Sequence, residues 1–280
     1  MPLRTSRAPS RSFRASLAVS GLVLVLGACG DATGARPEGW LEDPPIPARM
    51  EELEASVAKR IGRGLDAIRE DPDSAQAWGE LGMLYEVVVL RSQAIECYEQ
   101  AALRDPSDPR WPYREGVCRG RMDEVRAAIA DLERSIEIDP SYAPAQYRRG
   151  TLALEDGDLA LAREAFAEAR RIDPEFMGGW VGEAHVLLLE DRPEEAVSLL
   201  EKQVERDPED IQVLQLLNTA YRQSGSDRRV RVPEKDEGEE SEGRYWSDPW
   251  QEELRRFRRT TRSNRMARLL DAGRAEDVIE

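Results

Sequence analysis

The chain has 280 residues, a formal net charge of −15, 34% charged residues and only 6% aromatic residues. This composition argues against one deep globular core and favours a thin, two-layer helical structure in which most residues keep one side in water. The acidic balance also makes nucleic acid an unsuitable partner, because phosphate binding needs clustered Lys and Arg.

The first 28 residues predict a cleaved targeting signal. A leader with four arginines and no acid precedes the apolar run "SLAVSGLVLVLGA" (16–28), which is short for a membrane span. The run continues into "LGAC", and this order resembles the bacterial lipoprotein signal. The resemblance implies removal of residues 1–28 and a lipid on Cys29, which would anchor the chain to a membrane of the bacterial cell envelope, facing the periplasm or the exterior. A plain secretory signal or an uncleaved anchor is the alternative.

Two segments with different patterns follow Cys29. Residues 29–47 are rich in Pro, Gly and Ala and predict an extended tether. Residues 48–71 predict one amphipathic helix that caps the next element, because their apolar residues recur at steps of three or four. These residues are Met50, Leu53, Val57, Ile61, Leu65 and Ile68.

Five Asp-Pro pairs recur with a strict step of 34 residues. They begin at Asp71, Asp105, Asp139, Asp173 and Asp207. In the block 75–108, one predicted helix carries Trp78, Leu81, Gly82 and Tyr85, and a second carries Ala94, Tyr98 and Ala101 before Pro106. This pattern closely resembles the tetratricopeptide repeat, a helix-turn-helix unit in which large residues fill the space between helices and small ones allow close approach. Each proline disfavours helical backbone at the preceding aspartate and so ends the second helix.

The resemblance implies an all-α, right-handed solenoid over residues 75–224, with four full repeats and one half. Later blocks depart from the pattern, since Pro112 stands where Trp is expected and Leu132 occupies an aromatic position. Residues 225–243 predict an acidic linker, and residues 244–280 a Trp/Arg-rich helical segment with a partial repeat. Trp246 and Trp250 in that segment either fold it back onto the solenoid or form a separate docking site for a partner or anionic lipid.

The sequence contains no recognisable catalytic motif. It has one histidine, His185, and lacks the spacings typical of zinc sites, nucleotide-binding loops and serine hydrolases. We therefore expect neither catalytic residues, nor a metal, nor a cofactor. Cys97 and Cys118 allow a disulfide in an exported protein, or they are two small buried side chains.

The resemblance implies that each first helix turns certain positions toward a concave groove. In this chain those positions carry Arg110, Tyr113, Arg114, Arg121, Tyr147, Arg148, His185 and Arg222. The Tyr-Arg pair recurs after 34 residues and forms a basic stripe in an acidic protein. We expect this groove to bind an acidic or C-terminal peptide segment of a protein partner. Alternatively, the arginines pair with glutamates on neighbouring helices. The Lys and Asn of the family's carboxylate-clamping members are absent.

These features predict a membrane-anchored, exported adaptor or scaffold that binds protein partners in envelope assembly and is not an enzyme. The alternative is a non-catalytic accessory subunit of an envelope enzyme or electron-transfer complex.

Overall fold

A computed structural model describes residues 36–48, 50–233 and 248–257, and the helices below belong to one compact unit that begins at Glu38. A 3₁₀ turn, Met50–Glu52, precedes ten α-helices. They are α1 (Ala55–Glu70), α2 (Ala75–Val87), α3 (Arg91–Arg104), α4 (Arg110–Gly120), α5 (Val125–Ile138), α6 (Ala143–Asp156), α7 (Leu159–Ile172), α8 (Met177–Leu189), α9 (Pro193–Arg206) and α10 (Ile211–Gln223). Across these described ranges the chain is helical with no strand, which confirms the predicted all-α helical-repeat solenoid.

Each Asp-Pro pair lies where the structure ends a helix. The five aspartates follow α1, α3, α5, α7 and α9 and have extended backbone, with φ from −128° to −137°. Each carboxylate also accepts a hydrogen bond from the backbone N–H two residues later, as Asp139 does from Ser141 at 2.9 Å. Proline therefore stops the helix, and the aspartate side chain stabilises the turn into the next repeat.

A second set of residues recurs every 34 positions, in the turn that follows the first helix of each block. Val89, Asp123, Gly157, Asp191 and Gly225 all have positive φ, between 59° and 80°. Glycine adopts this left-handed backbone without steric cost, whereas a β-branched residue does not. The turn geometry is thus kept through all five blocks even where the residue type is unfavourable, as at Val89.

The helices pack in chain order, and the first helices of adjacent repeats also contact one another from α4 to α10. We call the surface formed by α2, α4, α6, α8 and α10 the first-helix face. The first core cluster lies at its N-terminal end and contains the fully buried Trp78 and Tyr98. Trp111 lies one position before Pro112, where the repeat pattern expects Trp. It stacks on Tyr98 with ring centroids 6.4 Å apart and fills the space opposite Gly79.

The N-terminal predictions need two corrections. The capping helix α1 begins at Ala55 rather than near residue 48. The described part of the predicted tether, from Glu38 onward, lies against the first repeat. There the Gln100 side chain accepts a hydrogen bond from Leu41 N at 2.8 Å and donates one to Gly39 O at 2.7 Å. These bonds pair backbone N–H and C=O groups that water would bond if the segment were an extended tether.

The C-terminal prediction is described only in part. Residues 249–257 are helical, and we call residues 248–257 the return segment because they pack on the solenoid. The predicted signal (1–28), Cys29, the linker beyond residue 233, Trp246 and residues 258–280 lie outside the described residues.

Candidate functional site

The return segment begins with a helix cap made by Asp248. Its carboxylate accepts a hydrogen bond from Gln251 N at 3.0 Å, and its carbonyl accepts one from Glu252 N at 2.8 Å. Pro249 occupies the first helical position, where a missing N–H costs no helical bond. The sequence Asp-Pro, which ends the second helix of each repeat, here starts a helix, as Asp108-Pro109 does before α4.

The Asp248 carboxylate is buried in a pocket of donors on the first-helix face. It accepts hydrogen bonds from the Tyr113 hydroxyl and, at 2.6 Å, from the Tyr142 hydroxyl, and Arg148 Nη2 lies 3.9 Å away. Burial and then the Asp248 charge raise the pKa of both tyrosines well above the ordinary value. Both phenols therefore remain protonated donors at neutral pH.

Trp250 is held by the same two tyrosines. Its indole stacks on Tyr142 with ring centroids 3.6 Å apart, and it meets Tyr113 edge-on at 5.0 Å. Its backbone N–H also donates a hydrogen bond to the Tyr142 hydroxyl oxygen at 3.2 Å. The three rings form an aromatic cluster that fixes the first turn of the return segment.

Arg114 contacts the return segment from the interior of the solenoid and has no solvent exposure. Its Nη2 donates hydrogen bonds to Trp250 O at 2.6 Å and to Glu253 Oε2 at 2.9 Å. Arg110 lies 3.6 Å from the same glutamate. One acidic side chain of the segment thus faces two arginines of α4.

Glu86 balances the charge of Arg114 on its other side. The two side chains are 3.9 Å apart, and Glu86 also accepts hydrogen bonds from Tyr98 at 2.8 Å and Arg121 at 2.7 Å. Burial lowers the pKa of Arg114, but the surrounding Tyr98 and carboxylates raise it above its ordinary value. Arg114 and Arg121 therefore also follow the alternative in which groove arginines pair with a glutamate of a neighbouring helix.

The far end of the return segment reaches the N-terminal helix. Leu254 joins the first core cluster, and the Phe257 ring lies 4.7 Å from the Arg60 guanidinium. The segment therefore crosses the first-helix face from the start of α6 to α1.

The structure brings only part of the predicted groove set together. Arg110, Tyr113, Arg114 and Arg148 surround the return segment, and Arg121 joins them through Glu86. Three other predicted residues lie elsewhere. Tyr147 packs against Phe166 and Phe176, His185 lines the next cavity, and exposed Arg222 bonds Thr219.

The first-helix face continues beyond the return segment as two open cavities. One, of about 320 Å³, lies between α4 and α6 and includes Arg121 and Arg148 in its lining. The other, of about 240 Å³, lies between α6 and α8 and includes Tyr147 and His185. Thr151 and Glu155 line both, so the two cavities adjoin along α6, and we call the pair the open depression.

No group of three or more His, Cys, Asp and Glu side chains could hold a metal ion within the described ranges. Cys97 and Cys118 are free, buried thiols, and burial raises the pKa of each well above its ordinary value. They match the sequence alternative of small buried side chains, and the disulfide is not formed. Among the described helices, none is long and apolar enough to cross a membrane.

Four residues of the site were missed by the sequence analysis: Glu86, Tyr142, Asp248 and Glu253. Tyr142 precedes α6 and so falls outside the positions assigned to first helices. The signal for Asp248 was available, because Asp followed by Pro before a Trp-containing amphipathic stretch is typical of a helix start.

Stacked helix pairs that share one first-helix face define a helical-repeat solenoid. Two family models described as tetratricopeptide repeat match the chain, over residues 119–175 and 153–219. The repeats within residues 119–219 therefore match the tetratricopeptide repeat.

Comparisons with individual proteins support the fold. Hsp70-Hsp90 organizing protein 3 of Arabidopsis thaliana is 27% identical over 112 residues, which cover 39% of this chain and 20% of that protein. The human protein SGT1 homolog is 28% identical over 96 residues, or 34% and 26% of the two chains. The chain thus spans far less than two thirds of either relative. The crystal structure of MamA matches with a TM-score of 0.51 and 24% identity, covering 56% of this chain and 96% of that one.

Proposed function

We propose that this chain is a non-catalytic adaptor that binds protein partners through its first-helix face. The observation that carries the proposal is the return segment itself. An acidic, tryptophan-containing helix already lies on this face, held by Tyr113, Tyr142, Arg114 and Arg148. A face that binds one such helix is chemically suited to bind another. The name of the Arabidopsis relative, an organiser of two other proteins, agrees with protein binding as the general activity.

We further propose that the adaptor is exported and carries a lipid on Cys29. The basic leader, the short apolar run and the "LGAC" junction support this. Two or three acyl chains would keep the adaptor at the envelope membrane and so restrict its partners to proteins of that compartment.

Site-specific photo-crosslinking in intact cells tests protein binding. A photoreactive amino acid at position 151, in the open depression of the first-helix face, should crosslink a second protein that mass spectrometry identifies. The matched control is position 126, because Arg126 lies on α5 and its side chain is 88% exposed. Equal crosslinking from both positions, or none from position 151, would contradict the proposal.

Metabolic labelling tests the lipid separately. Cells given a clickable palmitate analogue should label the wild-type chain and not the Cys29→Ala variant. Equal label on both would show that Cys29 is not the attachment site.

A further inference from the structure

The return segment leaves part of its binding site unsatisfied. Nε of Arg148, and both Nε and Nη1 of Arg114, are buried without a hydrogen-bond acceptor among the described residues. The Arg148 ion pair with Asp248 is also long, at 3.9 Å. Buried donors that lack an acceptor weaken a bound state, whereas a well-placed carboxylate can take two parallel bonds from one guanidinium.

The segment nevertheless displays a clear pattern of anchors. Asp248 caps the helix and meets two tyrosine hydroxyls, Trp250 stacks two positions later, and Glu253 meets two arginines five positions after the aspartate. Leu254 adds an apolar contact with the first core cluster, whereas Glu252 pairs with Arg255 inside the segment itself. Recognition therefore depends on an Asp-x-Trp-x-x-Glu arrangement on a helix.

We infer that the partner of this face is a helix of another protein with this Asp-x-Trp-x-x-Glu chemistry, and that it binds by displacing the return segment, which acts as a built-in competitor. The inference rests on the proposed function and specifies its ligand. Only molecules with an open face can bind the partner, so the apparent Kd equals the intrinsic Kd divided by the open fraction. A face that is closed about 90% of the time therefore weakens binding about tenfold.

The test measures binding of a fluorescent peptide with the sequence of residues 248–257 to the purified full chain by anisotropy. The release variant is Asp248→Asn with Trp250→Ala, and the matched control is Arg256→Ala, an exposed position of the same segment. We expect the release variant to bind the peptide about tenfold or more tightly than the wild type, and the control to match the wild type.

Further variants test whether the peptide binds at the site of the return segment. Tyr142→Phe with Arg148→Ala, added to the release variant, should weaken peptide binding about tenfold. A peptide that itself carries Asp248→Asn and Trp250→Ala should bind the release variant at least about tenfold more weakly than the unaltered peptide does. Rising salt should weaken binding of the unaltered peptide, since Arg110, Arg114 and Arg148 face its carboxylates.

Several results would overturn the inference. Equal affinity of wild type and release variant would show that the segment does not compete. A wild-type dimer that becomes monomeric in the release variant, measured by light scattering, would show that the segment is exchanged between copies. Should the release variant lose helical circular dichroism, Glu253→Gln provides the same comparison without disturbing Trp250, with an expected gain of about threefold; no gain there overturns the inference.

Failure of this test is distinguishable from failure of the proposed function. If the peptide does not bind but position 151 still crosslinks a protein, the face binds partners of other chemistry. If crosslinking fails while the peptide binds, the site exists but no partner uses it.

Discussion

The indole of Trp250 stacks on the phenol ring of Tyr142 with 3.6 Å between ring centroids and 21° between ring planes. The two residues are 108 positions apart, and the backbone N–H of the first also donates a hydrogen bond to the hydroxyl of the second. This contact joins the C-terminal part of the chain to the junction between the second and third repeats.

Trp250→Ala should release the return segment while the solenoid stays folded. Loss of the aromatic cluster removes the anchor of the segment's first turn, so trypsin should cleave after Arg255 and Arg256 roughly tenfold faster. Mass spectrometry of timed digests measures this. Trp180→Ala is the control, because that indole lies on α8 against Arg170 of α7 and should leave these cleavage rates unchanged. Similar rates in wild type and Trp250→Ala would argue that the stack does not hold the segment.

Arg114 and Arg121 should differ strongly in their contribution to stability, although both pair with Glu86. Arg114 is fully buried, whereas the Arg121 side chain is 43% exposed. Arg114→Met should lower the free energy of unfolding by roughly 3–5 kcal/mol, because the buried guanidinium bonds Trp250 O and Glu253 and faces Glu86, and all three contacts are lost together. Arg121→Met should cost less, about 1–2 kcal/mol, because the Arg121 side chain is partly solvated although its partner Glu86 is buried. Urea denaturation of both variants decides the matter, and equal losses would contradict the assignment of Arg114 to the interior.

Glu115 should make the solenoid less stable as the pH rises toward neutrality. Burial and then the nearby Asp131 charge raise its pKa to about 7, despite ion pairs with Arg119 and Arg134. The folded pKa exceeds the unfolded one, so the folded state binds more protons between the two values. The free energy of unfolding should therefore fall by roughly 1–3 kcal/mol from about pH 4.5 to about pH 7 through this group.

Glu115→Gln should flatten that pH dependence, which urea midpoints at several pH values between 4.5 and 7.5 would measure. Glu99→Gln is the control, since Glu99 contacts the same Arg119 but is 42% exposed. An unchanged slope in Glu115→Gln would show that another group titrates.

Val89→Gly should stabilise the protein, which is unusual for a glycine substitution. Val89 has φ of 66° and is 59% exposed, so little packing is lost and left-handed strain is relieved. We expect a gain of about 1 kcal/mol in thermal or urea unfolding. The reciprocal change, Gly157→Val at the equivalent turn, should destabilise by a similar amount. A loss of stability in Val89→Gly would mean that the valine side chain contributes more than its strain costs.

The sequence predicted the repeats well because their signals are local and periodic. Proline at each seam and the alternation of large and small residues, such as Gly150 against Phe166, act within one or two helices. The basic stripe at Tyr113, Arg114 and Arg148 followed from the same period.

The occupant of the face could not be predicted in the same way. Tyr113 and Asp248 are 135 positions apart, and no period connects them. Charge did not identify the segment either, because residues 244–280 are rich in arginine and the chain has 55 acidic residues. The same limitation applies to the residues from Glu38 to Pro47, whose packing depends on Gln100 and Arg104 of α3 rather than on their own pattern.

Hydrogen exchange of the return segment in the presence of the Asp-x-Trp-x-x-Glu peptide tests the central claim most directly. A uniformly ¹⁵N-labelled full chain keeps its fragments distinct in mass from the added peptide. If the peptide displaces the segment, exchange at residues 250–257 should accelerate as peptide is added, while α4 and α6 stay protected. Unchanged exchange in the segment at peptide concentrations that saturate the anisotropy signal would contradict the account.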